Sequence, residues 1–87
     1  MNNDPCTIPI VVNDQINPMF VRANSFILSQ NVDSFVSNNN EYNERKIEEL
    51  WQTVFNAQLI KTHLNVWTNI VFDSDSDKTM FLLKYST

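Results

Sequence analysis

The residues in this chain best suited to chemistry are three alternating carboxylates, Asp73, Asp75 and Asp77, in the run D-S-D-S-D. Alternating acids begin a calcium loop, but that loop also needs a glycine at its sixth position and a bidentate glutamate at its twelfth. Lys78 and Lys84 stand there instead. The run therefore reads as a solvated, charged turn, with Ser74 or Ser76 as a modification site in an acidic context.

His63 is the one histidine and Cys6 the one cysteine. A general base needs a nucleophile and an orienting carboxylate held beside it. Cys6 falls in an expected tail, a poor platform for a preorganised site, and it reads as a small hydrophobe. His63 reads as a polar residue closing a helix. Glu41, Glu44, Glu48 and Glu49 supply more carboxylates, but along one helix and interspersed with Arg45 and Lys46. Acid–base pairs must converge across a cleft, so these four read as a solvated face.

The 87 residues contain no glycine. Phosphate-cradling loops, dinucleotide fingerprints and the nucleophile elbow all depend on glycine's backbone freedom. The expectation is a chain without catalytic, cofactor-binding or metal-binding residues. Thirteen asparagines are present. Asparagine is the best substitute for glycine in left-handed turns and a good helix cap. An AT-rich coding genome, such as that of a virus, phage, protist or yeast, also produces such usage.

The net charge is −4, and the six basic residues are scattered apart from the adjacent Arg45 and Lys46. Nucleic-acid binding needs a clustered basic face, so no nucleic-acid partner is expected. No run approaches 18 apolar residues, so no membrane span is expected. No secretory leader and no glycosylation sequon is evident, and one cysteine gives no internal disulfide. Together these point to an intracellular, cytoplasmic or nuclear, protein.

The elements that must position the side chains follow from periodicity. Residues 1–7 read as a disordered tail and 8–87 as one domain. Ile8 to Val12 is a short strand confined to an edge by Pro9, and Asn13 to Pro18 a turn. Residues 19–28 fit neither period cleanly. As a helix, Asn17 caps, Pro18 takes the first turn and Phe20, Ala23 and Ile27 share a face that Asn24 interrupts. Phenylalanine and β-branched content favours a strand. Residues 30–37 form a turn or short helix. The surest element is a helix over about 41–62, capped by Asn40, with Ile47, Leu50, Trp51, Val54, Phe55, Ala57 and Leu59 on its apolar side. Residues 64–72 and 79–86 then read as strands of a C-terminal hairpin.

The fold class this implies is α+β. It is a small single domain with an antiparallel sheet of three or four strands and one long helix on one face, in the order β-β-α-β-β. Hydrophobic residues make up 43% of the chain, a generous stock for one small core. The surplus implies burial against another protein chain. The function expected is a non-enzymatic protein–protein interaction module, an adaptor subunit or an inhibitor, with a homodimer through the C-terminal hairpin as a special case. The residues expected to carry it are Trp67, Val71, Phe81, Leu83 and Tyr85, with Trp67→Ala or Tyr85→Ala weakening association more than folding. The alternative is a compact acidic mimic that blocks a nucleic-acid site on a host enzyme, using Asp73–Asp77 and the Glu41–Glu49 helix start.

Overall fold

A computed structural model describes residues 6–62, 64 and 66–86. His63, read above as closing a helix, and the first five residues of the expected tail lie outside them. In chain order the elements are β1 (Thr7–Pro9), β2 (Val11–Val12), β3 (Gln15–Ile16), α1 (Pro18–Gln30), a 3₁₀ turn (Val32–Ser34), α2 (Asn40–Phe55), β4 (Ala57–Lys61), β5 (Trp67–Phe72) and α3 (Asp75–Tyr85). The protein is a small α+β domain with an antiparallel three-stranded sheet ordered β1-β5-β4. A separate two-stranded hairpin joins β2 to β3.

The class is the one expected, but the expected strand 8–12 divides into β1 and β2, the expected turn 13–18 contains β3, and three larger differences lie further along the chain. Residues 19–28 are helical, not a strand. Asn17 accepts from Met19 N at 3.0 Å and Pro18 occupies the first turn. Phe20, Ala23 and Ile27 are buried together. Asn24, which interrupts that face in sequence, accepts the Trp51 indole N–H at 3.0 Å. Strand propensity reflects fit to a pleated surface, and it yields where a cap and a helical stripe agree.

The long helix stops at Phe55 instead of running to residue 62. Asn56 turns left-handed, with φ 54°, and satisfies the helix end by donating its backbone N–H to Trp51 and Gln52 carbonyls. Ala57 and Leu59, assigned by sequence to the helix face, alternate with Gln58 and Ile60 in β4 and point into the core. Asn13 and Asp14 also have positive φ, 52° and 64°, at the β2–β3 turn. Two such residues in succession are what a tight type I′ hairpin requires. Asparagine and aspartate thus take the positions where glycine is usual. Asn17 caps α1, and α2 is capped by Asn39 instead of the expected Asn40, which is the first residue of the helix.

One outcome follows directly. Replacing Asn56 with alanine is expected to cost about 1–2 kcal/mol, because alanine lacks the short polar side chain that makes the left-handed region tolerable for asparagine and that bonds Asp77. Asn56→Gly keeps the turn but also loses the bond to Asp77, and is expected to cost less than the alanine variant. Denaturant unfolding measures both, and equal stability of the alanine variant would refute this account of the turn.

The third difference is at the C-terminus. Residues 79–86 do not pair with 64–72, because α3 occupies them. Ser74 is its cap, accepting from Asp77 N at 3.1 Å and donating its hydroxyl to the Asp77 carboxylate at 2.8 Å. Asp75 and Asp77 lie in its first turn and Lys84 in its last, each at the favourable pole of the helix. The acidic run read as a turn is therefore a helix start. The hairpin that exists is β4–β5, registering Ala57 with Phe72 and Leu59 with Ile70. β1 pairs along the other side of β5, Ile8 opposite Ile70. Cys6 and Thr7, assigned to the tail, join this sheet: the Cys6 carbonyl accepts from Phe72 N at 2.8 Å and Thr7 pairs with Val71.

Ile8, Ala57, Leu59, Ile70 and Phe72 from the sheet meet Phe20, Ala23 and Ile27 of α1, Trp51 of α2, and Phe81 and Tyr85 of α3 in one core. Trp51 is fully buried at its centre, stacked on Phe20 at 5.3 Å and touching Phe55 and Phe81 at 4.8 and 5.8 Å. All three helices therefore cover the same sheet face. The other face carries Pro9, Gln58, Ile60, Asn69 and Val71, a mixed surface of the kind a half-solvated antiparallel sheet presents.

Candidate functional site

The five residues singled out from sequence do not share a surface. Phe81 and Tyr85 are buried in the chain's own core. For Tyr85 this replaces the expected interface role with a core one, whereas Phe81, though buried, also lines the groove between α2 and α3; a strand would have exposed one of its faces, but positions four apart on α3 both point inward. Val71 lies on the open sheet face. Trp67 is half-buried on the opposite face, its indole N–H donating to Glu48 at 2.8 Å. Leu83 is 71% exposed on the outer side of α3. Of the five, Leu83 best fits a surface role.

The carboxylates of α2 divide in two. Glu41 pairs with Arg45 at 3.4 Å and Glu49 with Lys46 at 3.2 Å on the solvent side. Glu44 and Glu48 instead reach across to β4, each 3.3 Å from the Lys61 ammonium, which also sits 5.6 Å from the Trp67 ring. Partial burial alone would lower the Lys61 pKa. The hydrogen bonds and charges of Glu44 and Glu48 together outweigh it and hold the group above its ordinary value. These groups satisfy one another and clamp the first half of α2 onto the β4–β5 hairpin. Sequence reading missed the clamp because Lys61 was placed on the same helix as its partners. Among the described residues, no cluster of three or more histidine, cysteine, aspartate or glutamate side chains is placed to hold a metal.

The junction of α2 with α3 is different. Val54, Phe55 and Asn56 from the end of α2 and Asp77, Met80, Phe81 and Lys84 from α3 line an open groove of about 190 Å³. Phe55 and Phe81 meet edge to face at 5.3 Å beneath it. Val54 is 44% exposed and Met80 67% exposed beside it, with Leu83 one turn further on. Single exposed apolar residues are ordinary. Here they adjoin one another above core aromatics.

Polar groups close the groove at both ends. Asn56 donates to the Asp77 carboxylate at 3.1 Å. That bond, together with the Ser74 hydroxyl, holds the Asp77 pKa below its usual value. Gln52 fixes the neighbouring Asp73 at 2.8 Å. At the far end the Lys84 ammonium rests 4.9 Å from the Phe26 ring of α1 and 5.6 Å from that of Tyr85. Arg22 of α1 donates to the Tyr85 carbonyl and so satisfies the last turn of α3. Both walls of the groove are thus held by contacts to their neighbours.

A second concavity of about 320 Å³ lies against the β2–β3 hairpin, lined by Val12, Asn13, Gln15, Ile16, Asn17 and Pro18. Although larger, it rests on strands of two residues each. Rigid elements position a site better than such a tip, which favours the α2–α3 groove. What the groove can do chemically is bury an apolar side chain between two fixed charges of opposite sign.

No family model, no curated protein and no solved structure matches this chain. Among the described residues, no helix is long and apolar enough to cross a membrane.

Proposed function

We propose that this chain is a non-enzymatic protein–protein interaction module, an adaptor subunit or an inhibitor, that binds through the α2–α3 groove. The observation carrying this reading is the pairing of exposed Met80 and Leu83 with a groove that rests on the aromatic core. A rigid apolar concavity with a polar rim is the anatomy of an interface centre. The lone cysteine and the lack of an internal disulfide support an intracellular site of action.

The acidic-mimic alternative has less in its favour. Glu41, Glu44, Glu48 and Glu49 each pair with a cation of the same chain. Asp73 and Asp77 lie at the other end of α2, a helix about 24 Å long.

The test is affinity enrichment from the cells that make the protein, comparing the wild type with a Val54→Asp, Met80→Asp variant. Both positions are exposed, so circular dichroism and melting temperature are expected to change little. The expected result is a protein retained by the wild type and lost with the variant. Identical retention by both would sink the groove as the binding site.

A further inference from the structure

We propose that the groove's occupant is a second copy of this chain, in a two-fold dimer with the α3 helices packed antiparallel and Met80 facing its counterpart across the axis. The inference rests on the interaction reading above and names its partner.

The first argument is the pattern of α3. At 3.6 residues per turn, Ser76, Met80 and Leu83 fall on one outward stripe, opposite the buried Phe81 and Tyr85. Spacings of four and three are those with which helices pack along their length. Asp77 and Lys84 flank that stripe on the groove side.

The second argument is charge. Asp73, Asp75 and Asp77 crowd the start of α3, with Lys78 as the one cation beside them, while Lys84 stands at its end. Among the described residues Lys84 has no carboxylate within ion-pair distance, its ammonium resting on aromatic rings. A two-fold axis through Met80 reverses the second helix, so a residue four after Met80 meets one three or four before it. Lys84 of each copy then faces Asp77 of the other, twice over. The helix dipoles also run antiparallel, which places opposite poles together. A parallel arrangement would stack three aspartates on three aspartates. The surface is therefore self-complementary in one orientation only, which is what an isologous contact demands.

The size of the contact sets its strength. An 11-residue helix spans about 16 Å. A stable interface buries about 800 Å² on each partner, so α3 must be joined by Val54 and the groove wall on α2.

Sedimentation equilibrium on the full chain tests this. The wild type is expected to reach twice the chain mass as concentration rises. Met80→Glu and Met80→Lys, each placing like charges across the axis, are each expected to stay at the single-chain mass while keeping the wild-type circular dichroism. An equimolar mixture of the two is expected to recover the doubled mass, because residue 80 faces its counterpart across the axis. A wild type of single-chain mass at every concentration, a dimer that survives Met80→Glu, or a mixture that fails to associate overturns the dimer. The interaction reading fails separately: a monomeric wild type that still retains a cellular protein through Val54 and Met80 leaves that reading standing.

Discussion

Trp51→Ala is expected to remove about 3–5 kcal/mol of stability, the usual cost of deleting a large buried aromatic. A domain of this size has only about 4–13 kcal/mol in total, so the variant should lie at or near unfolding at room temperature. Three features put the effect at the upper end. Trp51 is wholly enclosed. Its ring meets Phe20, Phe55 and Phe81, which belong to three different helices. Its indole N–H satisfies Asn24, which would be left without that donor. Urea unfolding followed by circular dichroism measures the loss, and Trp67 supplies an independent fluorescence signal. Asn24→Ala provides the control. It strands a buried N–H and is expected to cost about 1–3 kcal/mol with the packing otherwise intact. A Trp51→Ala loss below about 1 kcal/mol would show that the three helices do not meet at this residue.

Tyr85 carries the second large effect, and its two substitutions should move stability in opposite directions. The side chain is 7% exposed and packs on Phe55 and Phe81 at 5.7 and 5.0 Å. Tyr85→Ala is therefore expected to cost about 3–5 kcal/mol, as for other buried aromatics. The hydroxyl finds no hydrogen-bond partner among the described residues, and burial raises its pKa. A buried polar group without a partner costs about 1–3 kcal/mol. Tyr85→Phe removes that group and keeps the ring, so it is expected to raise the unfolding midpoint. A lowered midpoint would mean that the hydroxyl does have a partner. The sequence alone had suggested that Tyr85→Ala would act on association. Its burial makes folding the quantity to measure.

The same residues show why helix and strand were confused at two places. In α3 the stretch Met80, Phe81, Leu82 and Leu83 is apolar at every position, so neither period can be read from it. The cap decides such a case. Ser74 with Asp77 three residues on was visible as a capping pair, but its aspartates drew the reading towards a turn. In α1 the cap at Asn17 and Pro18 is legible, but aromatic and β-branched content competes with it. Asn24 seemed to spoil the helical face because its partner, Trp51, lies 27 residues away. No local pattern records that hydrogen bond. The end of α2 was missed for a related reason: the residue that turns the chain there is Asn56, and only its left-handed backbone reveals the role.

The groove was legible only in part. Of the interaction residues the sequence singles out, Phe81 lines the groove and Leu83 lies exposed three residues beyond Met80, while Val54, Met80 and Lys84 are not among them. The groove depends on where the end of α2 meets α3, two elements separated in sequence by the whole β4–β5 hairpin.

By itself the sequence determined the α+β class, the start of the long helix, the left-handed and capping roles of asparagine and the absence of any glycine-dependent motif. These follow from composition and from preferences acting within a few residues, which need no knowledge of distant partners. The tertiary structure alone decided that Phe81 and Tyr85 turn inward, that Glu44 and Glu48 meet Lys61, and that Met80 and Leu83 remain outside. Those outcomes depend on which faces the packing of three helices against one sheet leaves available. Burial is a property of the assembled layers, so a run of apolar residues could not show which of its members would be enclosed.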